Sequence, residues 1–147
     1  MSWRDAQAAG CLFKSDPTAL PDDVDAAIRP ILERINSSGW VWTGESCAGH
    51  FDDSCGWKME GERNDKRPAT DPFVRLVFHQ EYLCEVARNL LHAHESVLAE
   101  RGAVCGPIRL MPRRVGAWFE LRVYVGASNS SERDAGLDVL KRFAESL

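Results

Sequence analysis

The sequence of 147 residues lacks several features, and each absence excludes a class of protein. No run of 18 or more apolar residues occurs, so no segment is predicted to cross a membrane. The N-terminus carries Asp5 and no uninterrupted apolar core, which is not the pattern of a secretory signal. With 18 Lys and Arg against 22 Asp and Glu, the chain lacks the cationic excess of a general nucleic-acid coat. A local basic patch is still compatible with this balance.

Paired cysteines are also missing, because the five cysteines are odd in number and scattered. Without a disulfide framework or an export signal, we expect reduced thiols and a soluble, cytoplasmic protein with no membrane partner. A hydrophobic fraction of 44% and a charged fraction of 27% are ordinary for a globular chain. The length suits one domain. We predict an N-terminal arm over residues 1–19 and a single α/β domain over residues 20–147.

Hydrophobic spacing predicts three helices. The first covers residues 21–37, where Pro30 is expected to kink or split it. The second covers residues 80–101. The third opens at Ser131 with the spacing of a capping box. The apolar stripe of the second helix is predicted to contain Leu83, Val86, Ala87, Leu90, Leu91, His94 and Leu98.

Four runs of β-branched and aromatic residues are predicted strands: residues 40–43, 73–78, 103–110 and 117–125. The element order αββαββα predicts an α/β (α+β) fold with a four-stranded, mostly antiparallel sheet and helices on one face. This is the order of a circularly permuted ferredoxin-like fold, with the first strand moved to the end.

The last predicted strand alternates between an apolar and a polar face. Trp118, Arg122 and Tyr124 form an aromatic–arginine–aromatic row on the polar face. Such a row on an open sheet can stack bases, which makes RNA a candidate partner, or it can bury a protein partner. The alternative is that the N-terminal arm covers it.

Most of the chemistry in the sequence lies in residues 42–53, which follow the first predicted strand. This segment combines two glycines, a thiol, hydroxyls, an imidazole and carboxylates. In one interpretation, Ser46, Cys47 and His50 line a pocket for a small anionic or nucleotide-like ligand, which Gly49 allows to approach the backbone. In another, Cys47 is a core residue and the glycines serve only a turn.

A third interpretation is a metal site. Cys47, His50 and Cys55 have a Cys-x2-His-x4-Cys spacing that zinc can accommodate, with Asp52, Asp53 or His79 completing the set. A nucleophilic Cys47–His50 pair is a special case of the pocket and needs a lowered thiol pKa. We expect His79 to end its strand at the same sheet edge as this segment.

The segment Thr43-Gly44-Glu45-Ser46-Cys47-Ala48-Gly49-His50 resembles the Thr-x-x-Ser-Cys-Ser-Gly-Arg signature of the tRNA wybutosine-synthesising methyltransferase family. The strings at residues 35–37, 73–91 and 102–108 are similar to other segments of that family. The resemblance implies a small α/β protein that uses S-adenosylmethionine as cofactor and acts on RNA. It also implies ligand-site positions at Thr43, Ser46, Cys47 and Gly49.

Three functions of different classes follow from these observations. The first is a small ligand-binding protein, methyltransferase-like and acting on RNA or a nucleotide. The second is a non-catalytic binding or regulatory module, a homo-oligomer or a partner-binding protein that uses its open sheet face. The third is a small zinc-binding protein. The predicted ligand-site residues are Thr43, Ser46, Cys47, Gly49, His50, Asp53 and His79.

Overall fold

The computed structural model describes residues 1–49 and 71–147. Within these residues the helices are α1 (Trp3–Ala9), α2 (Arg29–Ser37), α3 (Leu83–Arg101) and α4 (Ser130–Glu145). The strands are β1 (Val41–Cys47), β2 (Phe73–His79), β3 (Ile108–Val115) and β4 (Trp118–Val125). Short 3-10 helices at Gln80–Tyr82 and Gly102–Val104 flank α3. The predicted α+β class and the order αββαββα are confirmed, with α1 as an additional helix at the start.

The four strands form one sheet in the order β1-β2-β4-β3, and every neighbouring pair is antiparallel. β1 and β3 are therefore the edge strands. The third strand begins at Ile108, later than predicted, and runs through Pro112. An edge strand tolerates this proline because one side of its backbone needs no ladder donor.

Helices α2, α3 and α4 cover one face of the sheet and enclose the main hydrophobic core. Its largest fully buried side chains include Phe78, Phe143, Ile35, Leu76, Leu90 and Leu140. The predicted stripe of α3 is partly wrong, because its buried residues are Val86, Leu90, Ala93 and Val97. Leu83, Leu91 and Leu98 are exposed, because α3 packs against α4 and the sheet with a different side of the helix.

Two predicted helix starts are also wrong. The first long helix begins at Arg29 rather than at residue 21, and Pro30 lies in its first turn, where its missing N–H has no helical partner to lose. No kink is therefore needed. The cap of α4 is Asn129 rather than Ser131: its Oδ1 accepts from the Glu132 N–H at 2.9 Å. A carboxylate oxygen of Glu132 in turn accepts a hydrogen bond from the Ser128 N–H.

The N-terminal segment lies on the opposite face of the sheet, so the helices are not all on one face. Ala6 of α1 and Cys11 pack with Trp42, Val77 and Trp118 in a second, smaller core. Trp3 and Phe13 border this core in edge-to-face contact. None of the helices in the described residues has the length and apolar character that a membrane crossing demands.

Candidate functional site

The segment singled out by sequence belongs largely to β1. Thr43 is a strand residue as predicted, but the strand continues to Cys47, so Ser46 and Cys47 belong to β1 and not to the loop that was predicted to follow it. Thr43 pairs with Leu76 and Ser46 pairs with Val74, which leaves one extra residue in β1. This is a β-bulge, a feature that redirects side chains at a sheet edge.

The bulge separates the side chains of the segment by face. Ser46 is registered with Val74, a core residue on the helix side, and Cys47 with Phe73 on the opposite side. Thr43 also lies on the helix side, where a buried pair of hydrogen bonds joins it to Asn36 of α2. The Asn36 Oδ1 accepts from the Thr43 N–H at 2.8 Å, and its Nδ2 donates to the Thr43 hydroxyl at 2.9 Å. This exchange gives the Thr43 N–H an acceptor on α2 rather than on β2.

A groove runs along β1, between the strand and the connection from the N-terminal segment to α2. We call it the β1 groove; it has a volume of about 710 Å³ and is lined on the strand side by residues 43–48. The wall that faces the strand contains Leu20, Val24, Ile28 and Leu32. Asp23, Asp25 and Glu45 add carboxylates, and Lys14 adds one ammonium. The groove is therefore part apolar and part acidic, and its volume suits a small organic ligand.

Although Ser46 and Cys47 are registered with residues on opposite faces of the sheet, both line the β1 groove at the strand edge, together with Thr43. Gly49 follows with a φ of 84°, a left-handed conformation that favours glycine, and its N–H donates to the Cys47 Sγ at 3.4 Å. His50, Asp53 and Cys55 lie outside the described residues. Residues 1–49 and 71–147 contain no cluster of three or more His, Cys, Asp or Glu side chains suited to a metal ion.

The prediction for His79 is wrong in its position. β2 is antiparallel to β1, and Val41 pairs with Phe78 while Cys47 pairs with Phe73. His79 therefore lies at the far end of the sheet from Cys47. There its ring meets Trp118 edge-on, and its Nδ1 accepts from the Glu81 N–H at 3.4 Å. His94, which was predicted on the apolar stripe of its helix, is half-buried with Nε2 2.8 Å from the Gly106 carbonyl oxygen.

A second group of polar residues, on the sheet face opposite α2–α4, was not among the predicted site residues. Arg75 and Glu120 are buried there, with side chains only 8% and 3% exposed. The Glu120 carboxylate accepts from the Arg75 Nη1 at 3.2 Å, from the Arg113 Nη1 at 2.7 Å and from the Leu12 N–H at 2.7 Å. The signal that could have found this group is an arginine inside the otherwise apolar run of β2.

Glu45 connects the two groups, because it lies both in the β1 groove and on this face. Its carboxylate is 2.8 Å from the Arg122 Nη2, 3.6 Å from the Lys14 Nζ and 3.9 Å from the Arg75 Nε. The last distance is too long for a hydrogen bond. The Arg75 Nε has no hydrogen-bond partner in the part of the chain that the structure describes.

We call the set Arg75, Arg109, Arg113, Arg122 and Tyr124 the arginine face. The predicted row of Trp118, Arg122 and Tyr124 is divided between two environments. The N-terminal segment covers Trp118, while Tyr124 stacks on Phe73 at 5.1 Å and carries the Arg109 guanidinium 4.7 Å above its ring.

Comparisons with protein-family models, with curated proteins and with solved structures find no match to this chain.

Proposed function

We propose that this protein binds a small nucleoside-type ligand in the β1 groove, and that S-adenosylmethionine is the candidate ligand. The observation that carries the proposal is the groove itself, about 710 Å³ in volume, which brings together Thr43, Ser46 and Cys47. These are three of the positions at which the sequence resembles the S-adenosylmethionine-dependent family. A volume in this range accommodates a ligand of nucleoside size.

The chemistry of the lining supports a ligand with a flat apolar part and positive charge. Leu20, Val24 and Ile28 present an apolar wall to one side of the cavity. Glu45 is paired with Arg122 and Lys14, but Asp23 and Asp25 add two further carboxylates to the lining, so the groove attracts cations and hydroxyl donors. S-adenosylmethionine has an adenine ring, ribose hydroxyls, a sulfonium and an ammonium, and it supplies an activated methyl group when bound. This chain's own residues would hold the ring and the cationic groups.

Binding is tested with a matched pair of charge reversals. Asp23 lines the groove, whereas the neighbouring exposed Asp22 does not. Asp23→Lys is expected to weaken S-adenosylmethionine binding about tenfold, roughly the effect of 1.4 kcal/mol, and Asp22→Lys to change it less than about twofold. Isothermal titration calorimetry measures both, and thermal shift records the stabilisation that a native-state ligand confers.

The same titration includes S-adenosylhomocysteine, which lacks the sulfonium charge, and adenosine triphosphate, which is anionic. We expect S-adenosylmethionine to bind more tightly than either, because the groove carries more carboxylates than cations. If none of the three compounds binds, or if Asp22→Lys and Asp23→Lys weaken binding equally, the groove is not the site and the proposal fails.

A further inference from the structure

The arginine face holds more positive charge than its own carboxylates neutralise. Arg75 and Arg122 are directly paired across β2 and β4. Like charges at such a position repel each other. Glu45 and Glu120 offset part of this charge, yet four cationic side chains surround these two carboxylates: Lys14, Arg75, Arg113 and Arg122. The excess occurs in a chain whose net charge is −4.

The fold is locally built to hold Arg75 in this place. The bulge in β1 places Gly44 against the Arg75 guanidinium, and a Cβ at residue 44 would lie 2.6 Å from the Arg75 Nε. A side chain at residue 44 would have to displace the guanidinium. The guanidinium is thus clamped between Gly44 and Glu120, with its Nε lacking a hydrogen-bond partner among the described residues. Because its Nε is buried against Gly44, Arg75 contributes positive charge to the arginine face rather than a free donor.

A cavity of about 270 Å³ opens beside this group, lined by Arg75, Arg113, Arg122 and Glu120 with Leu12 and Met111. Arg122 is 43% exposed at its side chain and can reach a ligand from solvent. Arg109 stands on the same face, held over the Tyr124 ring. Guanidinium groups recognise phosphate oxygens through paired N–H donors, and several fixed on one surface favour a polyanion.

We propose that the arginine face binds a phosphate ester, through Arg122, Arg113 and Arg75. This is a second site that does not depend on a ligand in the β1 groove. The phosphate ester comes either from a free nucleoside triphosphate or from the backbone of a single-stranded nucleic acid. The overall acidity of the chain is compatible with both, because the positive charge is local and attraction acts over roughly 10 Å at ordinary salt.

Two variants and one control test the proposal. Arg122→Gln removes an exposed cation from the arginine face. Arg88→Gln is the control: it removes an exposed cation from α3, which covers the opposite face of the sheet, with the same change in net charge. Binding of adenosine triphosphate and of a fluorescent single strand of about ten nucleotides is measured at low salt. Arg122→Gln is expected to weaken binding about tenfold and Arg88→Gln less than twofold.

Glu45→Gln provides a change in the opposite direction. It removes the carboxylate that lies between Arg75 and Arg122, so phosphate binding should become stronger, about threefold or more. A variant that merely damaged the fold would weaken binding instead. Circular dichroism checks that each variant is folded.

For the single strand, the plot of log affinity against log salt concentration should become shallower by about 0.7 in slope when Arg122 is replaced.

The two probes separate the sources of the phosphate ester. Comparable affinity for the triphosphate and the strand assigns the site to free nucleotides, and much tighter binding of the strand assigns it to nucleic acid; both results support a phosphate-ester site. Equal weakening by Arg122→Gln and Arg88→Gln overturns it, as does an absence of binding to both probes or weaker binding by Glu45→Gln. Asp23→Lys should leave this binding unchanged, which separates it from the groove.

Discussion

The sheet face opposite α2–α4 has two halves that are built from the same strands and yet differ in polarity and in cover. In one half, Trp42, Val77 and Trp118 are buried under α1 and Cys11. In the other half, the same strands present Arg75, Arg122 and Tyr124, and charge replaces apolar packing. We call the first the covered half; the second contains the arginine face.

The difference shows that strand alternation selects a face but not an environment. Val77 and Arg75 are two residues apart on β2 and point to the same face. Trp118 and Arg122, four residues apart on β4, also share this face. What distinguishes them is the N-terminal segment, which lies over one end of the sheet and contacts the other end mainly through Leu12 and Lys14. Apolar side chains lie where the segment excludes water, and arginines lie where it leaves a cavity.

Removal of Trp118 should have the largest effect on the comparison. Trp118→Ala leaves a cavity beneath α1, between Trp42 and His79, and should lower the free energy of unfolding by about 3–5 kcal/mol. Urea denaturation measures the change. Leu91→Ala on the exposed side of α3 is the control and should cost no more than about 0.5 kcal/mol. A loss below about 1 kcal/mol for Trp118→Ala would show that the covered half is not a packed core.

A smaller loss is expected from Gly44→Ala, which affects only the arginine face. The added methyl group would meet the Arg75 Nε at 2.6 Å, and the displacement should cost about 1–3 kcal/mol. Because the clash is with one side chain, the cost should largely vanish in an Arg75→Ala background. The same cost in both backgrounds, measured by a double-mutant cycle, would place the strain in the β1 backbone instead.

Thiol chemistry gives the smallest but most direct comparison. Burial, assisted by the Glu120 carboxylate, raises the pKa of the Cys11 thiol from 9.0 to about 11, and burial also raises the pKa of Cys105. Cys84 is exposed. At pH 8, iodoacetamide should therefore modify Cys84 well before Cys11 or Cys105, because the thiolate is the reactive form. Mass spectrometry of digested protein measures the rates; early modification of Cys11 would show that α1 opens readily.

The raised Cys11 pKa also has a consequence for stability. The folded chain keeps this proton up to higher pH than the unfolded chain does, so stability is unaffected below about pH 9 and falls as the pH rises towards 11. Replacing Cys11 by Ser should reduce this alkaline loss. Thermal unfolding between pH 8 and pH 11 follows the difference; an unchanged slope would mean that another group causes it.

Local patterns were sufficient for most elements of this fold. Helical spacing predicted α3 and α4, and alternation predicted β4 with its apolar and polar faces, because both periodicities are properties of a few neighbouring residues. The same reasoning misplaced helix starts, where Pro30 and Asn129 act through single backbone groups. It also pointed to the segment that lines the groove, including the predicted ligand-site residues Thr43, Ser46 and Cys47.

The sequence by itself therefore determined most of the helices and strands, their order and which side chains of β4 share a strand face. Tertiary structure alone decided the register that separates His79 from Cys47, the phase of α3, and the position of α1 over half of a sheet face. It alone brought Arg75 of β2 to Glu45 and Glu120 of neighbouring strands. The physical reason is that periodicity arises from the local backbone, whereas contacts between strands depend on how distant segments exclude water together.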